Sequence, residues 1–283
     1  MLLLTSGYQV MGLMVGVTLV IFFAASVLSV RESYRPREER TGNPLANAFR
    51  EFGSTFRNRP FIPYVIGVGF YRMAVATTVF IAPFIAAKVI AAYPSTAAEL
   101  GFLDALGALH DSGQVNWELA AGYMMMLVLG GAALFFPLTS WLANRFGKRI
   151  LFIIALVWFG LIMSAMATIG EWPVMDPLFQ GLTLFLLAAF PVSIALVVMR
   201  PLLADIIDAD ERLTTKRREG VYNGMEGLIM KIAAGIGPWI AGMMFDAFGQ
   251  TTDGNLGIRL CGPLAGACLI VAALAFSRYP IRK

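Results

Sequence analysis

The sequence predicts an all-α membrane protein with seven transmembrane helices. Its 283 residues are 58% hydrophobic and only 14% charged, and the mean hydropathy is +0.72. A soluble domain is closer to half apolar and a quarter charged. In addition, seven apolar runs are long enough to cross ~30 Å of hydrocarbon, which takes about 20 helical residues. They lie at residues 8–30, 62–92, 119–142, 150–170, 177–203, 221–248 and 258–277.

The positions of these runs divide the chain into three segments. We expect residues 1–30 to hold the first transmembrane helix, because the apolar run is too long for a signal peptide and no basic segment precedes it. Residues 31–60 are expected to form a cytoplasmic linker with a short amphipathic helix at the membrane surface, since apolar residues recur there at helical spacing. Residues 61–283 hold the six remaining runs.

Lys and Arg residues are concentrated in alternate connections. They follow the first run, separate the third from the fourth and the fifth from the sixth, and recur in the C-terminal tail, whereas residues 93–118 and 171–176 contain none. Cytoplasmic loops carry such an excess, so we expect the N-terminus outside and the C-terminus in the cytoplasm, in the plasma (inner) membrane. The net charge of +4 therefore reflects topology. Because the basic residues are split among four connections, nucleic acid is not expected as a partner.

Four polar residues lie inside the apolar runs and are the candidates for a cation or substrate cavity. A charge at mid-bilayer costs roughly 2.5–3.5 kcal/mol, so a partner, a wet cavity or a bound ion must offset it. Lys231 lies near the middle of its run and shares a helix face with Asn223, whereas Glu226 is about 140° away from Lys231 and is not expected to pair with it. Arg72 lies some 16 Å into its run, where both a cavity and a structural ion pair remain open.

The sequence lacks the residues that ATP hydrolysis, a histidine metal site and a Ser-His-Asp site require. The chain lacks a G-x-x-x-x-G-K-[ST] phosphate loop, so ATP-driven pumping is not expected. A single histidine, His110, argues against a histidine metal cluster and a Ser-His-Asp site. Cys261 and Cys268 share a helix face about 10 Å apart, which suits packing and forbids a disulfide within the helix. We therefore expect no enzyme, no metal site and no cofactor apart from a coupling cation.

Several motifs resemble those of one transporter family. Ala204–Gly220 reads A-D-x-x-D-x-D-E-x-x-T-x-x-R-R-E-G and resembles the signature of the glycoside–pentoside–hexuronide:cation symporters, the melibiose-permease group of the major facilitator superfamily. Lys231 falls where those symporters place a lysine in helix eleven, and Asn58–Phe61 (N-R-P-F) is similar to their entry into helix seven. The facilitator loop motif D-R-x-G-R-K resembles Asn144–Arg149, with Asn144 in place of the usual acid. Its candidate residues are Asn144, Arg145, Gly147 and Lys148.

The resemblance covers helices six to twelve of a twelve-helix fold. It implies the C-terminal six-helix half of a major facilitator fold plus one preceding helix, and cation-coupled transport (Na⁺ or H⁺) of a sugar, glycoside or similar small solute by alternating access. Lys231 would face the central cavity and neutralise carboxylates of an N-terminal half, which could be a separate partner. Membrane lipid and the solute are the other expected partners. A cytoplasmic gate of salt bridges that break and reform would consist of Asp205, Asp208, Arg217, Arg218 and Glu219.

Three alternatives compete with this interpretation. The charged segment before helix eleven could be a solvated loop that only fixes topology. The chain could be a non-transporting remnant or an assembly partner, because helices one to five of the family have no counterpart in it. It could also be a lipid-type facilitator of the same fold.

Overall fold

The structure is a computed structural model in which helices account for nearly all of the described residues. It describes residues 2–29, 52–56, 58–107, 109, 115–215, 218–252 and 254–280. The helices are α1 (Leu2–Ser29), α2 (Phe61–Phe84), α3 (Ala97–Ala105), α4 (Trp117–Phe146), α5 (Lys148–Ala165), α6 (Pro177–Thr214), α7 (Glu219–Phe248) and α8 (Leu256–Ser277). A π-helical turn (Ile85–Val89) and a 3₁₀ turn (Ile90–Ala92) extend α2, and another 3₁₀ turn (Met166–Thr168) extends α5.

Seven helices within the described residues are long and apolar enough to cross a membrane. They are α1, α2 with its extension, and α4 to α8, which confirms the predicted number of spans. The chain divides into two compact units, residues 1–46 and 47–283, and the boundary falls inside the predicted linker. The first unit contains α1. The second contains α2 to α8 and holds the hydrophobic core.

The second unit is built from pairs of packed helices. α8 packs against α2 and α5, α4 packs against α6, and α7 packs against α2. Phe276 of α8 sits at the centre of an aromatic cluster, with its ring edge-to-face on Tyr64 (centroids 5.9 Å apart) and Phe152 (4.7 Å). Glycine allows α5 and α8 to approach closely, because a Cβ at Gly262 would collide with the carbonyl oxygen of Met163.

The predicted boundaries differ most from the structure at the end of the fifth run. The fifth apolar run ends at residue 203, but α6 continues to Thr214, so the first part of the predicted charged connection is helical. The physical reason is a buried stripe that continues at helical spacing: Ile206, Ile207 and Asp210 are buried on one face, while Asp208 and Arg212 are exposed. Eleven residues at 1.5 Å each extend α6 by roughly 16 Å beyond the apolar run.

At the end of the bundle away from the charged end of α6, polar side chains link neighbouring helices. Thr96 and Glu99 form a reciprocal capping box at the start of α3. The Glu99 carboxylate is buried and also accepts a hydrogen bond of 2.9 Å from the backbone N–H of Leu178, which ties α3 to the beginning of α6. At the start of α8, Arg259 donates to the Ala167 carbonyl (2.6 Å) and to the Tyr93 hydroxyl (3.1 Å).

Two of the six membrane helices in the second unit are much less covered than the other four. In their most apolar stretches, 22% of the α7 residues and 28% of the α4 residues are buried, against 50% in each of α2, α5, α6 and α8. These two helices therefore each have a largely uncovered face, and α7 also carries three of the four residues predicted for the cavity.

Candidate functional site

Glu226 is the most deeply buried of the four cavity candidates. Its side chain on α7 is 3% exposed, and its carboxylate accepts a hydrogen bond of 2.6 Å from the Tyr64 hydroxyl of α2 and one of 3.2 Å from the Arg200 guanidinium of α6. The side chain of Arg200 is 72% exposed within this chain. A buried carboxylate is tolerated only when paired or hydrogen-bonded. Glu226 thus ties three helices together and does not form the wall of an open cavity.

A polar recess lies beside this cluster, between α6 and α7. It has a volume of about 250 Å³. Its polar side chains are Arg200, Asp208, Glu219 and Asn223. Asn223 is exposed, and its amide donates a hydrogen bond of 2.9 Å to the Glu219 carbonyl one turn earlier. Two residues predicted for the gate, Asp208 and Glu219, are therefore brought together with one predicted for the cavity.

Lys231 occupies the open face of α7. It is exposed and lies twelve residues after Glu219, or about 18 Å along the helix axis. Gly227 and Gly235, one turn to either side, have no atom of another element within 4 Å of where a Cβ would stand. The face around Lys231 is thus uncovered, and Glu226 pairs with Arg200 instead of Lys231, in line with the predicted 140° separation.

Arg72 is also exposed. It lies on α2 directly after Tyr71, whose side chain is buried. Within the part of the chain that the structure describes, no carboxylate lies within ion-pair distance of Arg72. The structure therefore does not bring Arg72 together with the Glu226 cluster.

The facilitator-like loop motif meets the charged end of α6. Gly147 takes a positive φ of 84° between α4 and α5, a conformation that glycine adopts without strain. Lys148, the first residue of α5, then reaches the Asp205 carboxylate at 2.5 Å, with both side chains about three-quarters buried. The Arg145 guanidinium lies over the Trp141 ring, 5.2 Å from its centroid. The loop motif and the gate were predicted as separate features. In the structure, the ion pair between Lys148 and Asp205 joins them.

Asn144 lies exposed beside this turn. It lines a groove of about 610 Å³ between the end of α4 and α6, together with Arg145, Gly147 and Lys148. All four residues of the predicted loop motif are therefore found at one place. The nearby Tyr279 hydroxyl donates to the Leu202 carbonyl (3.2 Å), and burial, with a smaller effect of the Asp205 carboxylate, raises the pKa of Tyr279 above its ordinary value.

Arg218 has a different partner from the ones predicted. Its guanidinium makes a forked contact of 2.7–2.9 Å with both oxygens of Asp210, whose side chain is 5% exposed, and donates to the Ser54 hydroxyl at 2.8 Å. The predicted gate did not include Asp210. The helical spacing that places Asp210 on the buried stripe of α6 is the sequence signal that could have identified this residue. Arg217, the remaining gate residue, lies outside the described residues.

The hydroxyl of Tyr222 extends the Arg218 cluster towards α2. It accepts a hydrogen bond of 2.9 Å from the Asn58 amide, and the Arg218 guanidinium lies 5.9 Å from the centroid of its ring. The N-R-P-F segment thus contacts the first turn of α7. The Asn58 amide also approaches the Ile206 carbonyl at 3.5 Å, so the three elements meet at one end of the bundle.

Comparison with known proteins supports the same conclusion as the motifs. A family model described as MFS/sugar transport protein matches residues 114–283, which is more than half of the chain and covers α4 to α8. The chain belongs to this family. Membership of the MFS/sugar transport family places it among transporters of the major facilitator superfamily, not among enzymes, and confirms the predicted fold class. It is an integral membrane protein.

A curated relative adds detail. An uncharacterized symporter of Synechocystis sp. is 28% identical over 141 residues, which make up 48% of this chain and 25% of the relative. The chain thus matches about a quarter of that relative's length.

Proposed function

We propose that this MFS/sugar transport chain forms the C-terminal part of a cation-coupled secondary transporter. It would move a sugar, glycoside or similar small solute with Na⁺ or H⁺ by alternating access. The observation that carries the proposal is Lys231, an exposed cation near the middle of a membrane helix. The family, and a relative named as a symporter, agree with it.

An ammonium at this depth is costly in contact with lipid. Insertion scales put the cost at roughly 2.5–3.5 kcal/mol at mid-bilayer, so such residues face a protein interior or a water-filled cavity. The open face of α7 combines Lys231 with Asn223 and with glycines that leave space for another helix or a solute. This face is therefore better suited to a wet central cavity than to lipid.

An N-terminal transporter half would complete that cavity. The sparse coverage of α4 and α7 leaves two long apolar faces for it to contact. Its carboxylates would supply the counter-charge for Lys231, and a cation or proton bound there would weaken that pairing, which is the physical basis of coupling.

The cytoplasmic gate would use the ion pairs at one end of the bundle. Lys148–Asp205 and Arg218–Asp210 both lie where helices end or begin, at the end that carries the basic connections. With the N-terminus outside, this end faces the cytoplasm, in the inner membrane. Reporters fused after Lys283 and inserted near Ser112 test this orientation. The first should read cytoplasmic and the second external, and opposite readings at both sites would overturn it.

Solute uptake tests the transport proposal. The chain is reconstituted in vesicles, alone and with a co-expressed N-terminal half, and uptake of radiolabelled melibiose and xylose is measured with an imposed Na⁺ or H⁺ gradient. We expect accumulation only with both halves and one of the gradients. Uptake that does not depend on either gradient would exclude cation coupling. Gradient-driven uptake by the chain alone would show that the cavity needs no second half.

A further inference from the structure

A second groove lies between the start of α2 and the end of α8. Its volume is about 670 Å³. Its walls are Ile62, Pro63 and Ile66 on α2 and Val271, Leu274 and Ala275 on α8, and its remaining lining residues include Arg59 and Arg278. None of these residues takes part in the cavity or gate described above.

The groove has a charged end and an apolar length. Arg59 lies two residues before α2 begins, and Arg278 comes directly after α8 ends, so the antiparallel pair presents both guanidiniums at the same end. From there the apolar wall runs seven residues along each helix, to Ile66 and to Val271, which is roughly 10 Å. Leu274 (61% exposed) and Ile66 (44% exposed) remain uncovered on it.

Neither Arg59 nor Arg278 is needed as a hydrogen-bond donor to the carbonyl groups at the end of α8. The carbonyls of Phe276 and Ser277, at the end of α8, already accept hydrogen bonds from Arg149. Both Arg59 and Arg278 are exposed, and within the described residues no carboxylate lies within ion-pair distance of either one. Their charges are therefore available to a ligand.

We propose that this groove binds an anionic phospholipid, with the phosphate between Arg59 and Arg278 and an acyl chain along the apolar wall. Two guanidiniums match a phosphate because their N–H groups donate charge-assisted, forked hydrogen bonds. Basic pockets between membrane helices bind anionic headgroups in this way. A soluble phosphate or a sugar would leave the apolar wall uncovered. A lipid fills both the charged end and the apolar wall of the groove. The site is independent of the transported solute and of the N-terminal half.

Retention of lipid by the purified full chain tests the site. The protein is reconstituted in nanodiscs of equal dioleoyl-phosphatidylglycerol and dioleoyl-phosphatidylcholine, returned to detergent, and weighed by native mass spectrometry. We expect retained phosphatidylglycerol in excess over phosphatidylcholine. The double variant Arg59→Gln/Arg278→Gln should lower that excess roughly 25-fold, since each basic residue near the surface contributes about fivefold. Ile66→Trp, which fills the wall, should lower retention of the lipid without changing any charge.

Arg212→Gln is the matched control, because Arg212 is an exposed arginine at the end of α6 outside the groove. Its excess of phosphatidylglycerol should equal that of the unmodified chain. Equal retention of the two lipids, unchanged retention in the double variant, or an equal loss in Arg212→Gln would overturn the proposal. So would displacement of the lipid by glycerol 3-phosphate, which would indicate a site for a soluble anion.

Photolabelling gives a readout that needs no variant. A phosphatidylglycerol with a photoreactive acyl chain should label peptides that carry residues 62–66 and 271–275 of the unmodified chain. Labelling confined to other peptides would mean that another segment or a second copy covers the groove, and would overturn the proposal even where the double variant fails to fold.

Discussion

Tyr64 of α2 donates a 2.6 Å hydrogen bond to the carboxylate of Glu226 on α7, and both side chains are buried. The second oxygen of the carboxylate faces Arg200, whose side chain is largely exposed. The buried acid is therefore held by one neutral donor inside the bundle and one cation at its surface. This arrangement fixes α2, α6 and α7 relative to one another next to the polar recess.

The first prediction concerns the stability of this cluster. Tyr64→Phe should lower the free energy of unfolding by on the order of 1–3 kcal/mol, because it leaves a buried carboxylate with one partner fewer. Thermal unfolding in detergent measures the change. In a double-mutant cycle with Glu226→Gln, the coupling should be about 0.5–3 kcal/mol.

Tyr71→Phe is the control for that cycle. Tyr71 is another buried tyrosine of α2, and no hydrogen bond from its hydroxyl is found among the described residues. Its loss should therefore cost less than that of Tyr64 and show no coupling to Glu226→Gln. Zero coupling between Tyr64 and Glu226 would mean that the hydrogen bond contributes nothing to the packing of α7.

The second prediction concerns the contact between the loop motif and α6. Lys148→Asp and Asp205→Lys should each impair gradient-driven uptake by the complete transporter, and the double exchange should restore part of it. The pair is partly exposed, so the stability change of Lys148→Ala should be only about 0.2–1 kcal/mol. Lys148→Asp with Asp208→Lys is the control, because Asp208 lies in the recess with Arg200. Equal rescue by both exchanges would indicate a general effect of net charge.

The third prediction concerns the connection between α6 and α7. Arg218→Lys should loosen it, because an ammonium cannot reproduce the fork that holds both Asp210 oxygens and the Ser54 hydroxyl. Amide hydrogen exchange of residues 208–222 should become faster, while Arg212→Lys, outside the fork, should leave it unchanged. Identical exchange in both variants would favour the alternative of a solvated loop.

Local pattern was sufficient to predict the membrane helices but not their full length. An apolar run of about 20 residues is a strong signal. The predicted and observed spans therefore agree to within two residues at every end for α2 and α5 with their extensions and for α7 and α8. The hydropathy signal stops at residue 203, although the helix does not. Beyond that residue, Ile206 and Ile207 continue the buried face of the helix among charged neighbours, and a hydropathy average over a window hides them.

Partners distant in sequence were beyond prediction. Tyr64 lies 162 residues before Glu226, and nothing near either one indicates the other. Two of the residues predicted for the gate, Asp205 and Arg218, form ion pairs in the structure. Which acid meets which base depends on helix packing: Lys148 pairs with Asp205, and Arg218 pairs with Asp210. Lys231 was easier to single out, because a charge within an apolar run stands out without any knowledge of its surroundings.

The fourth prediction concerns Lys231 itself. Desolvation disfavours an ammonium, and Glu226, the nearest acid on the same helix, is engaged by Tyr64 and Arg200. Under the proposed function, the counter-charge of Lys231 comes from an N-terminal half. Lys231→Ala, tested with that half present, should abolish cation-coupled uptake of melibiose while leaving membrane expression within about twofold, because Lys231 is exposed and forms no ion pair within the described residues. Lys231→Arg should also impair uptake, since a planar guanidinium does not replace a compact ammonium. Ile232→Ala, an exposed neighbour on α7, serves as the control and should retain coupling. Full coupled uptake in Lys231→Ala would remove the ammonium from the mechanism and leave the Glu226 cluster as the remaining charged candidate on α7.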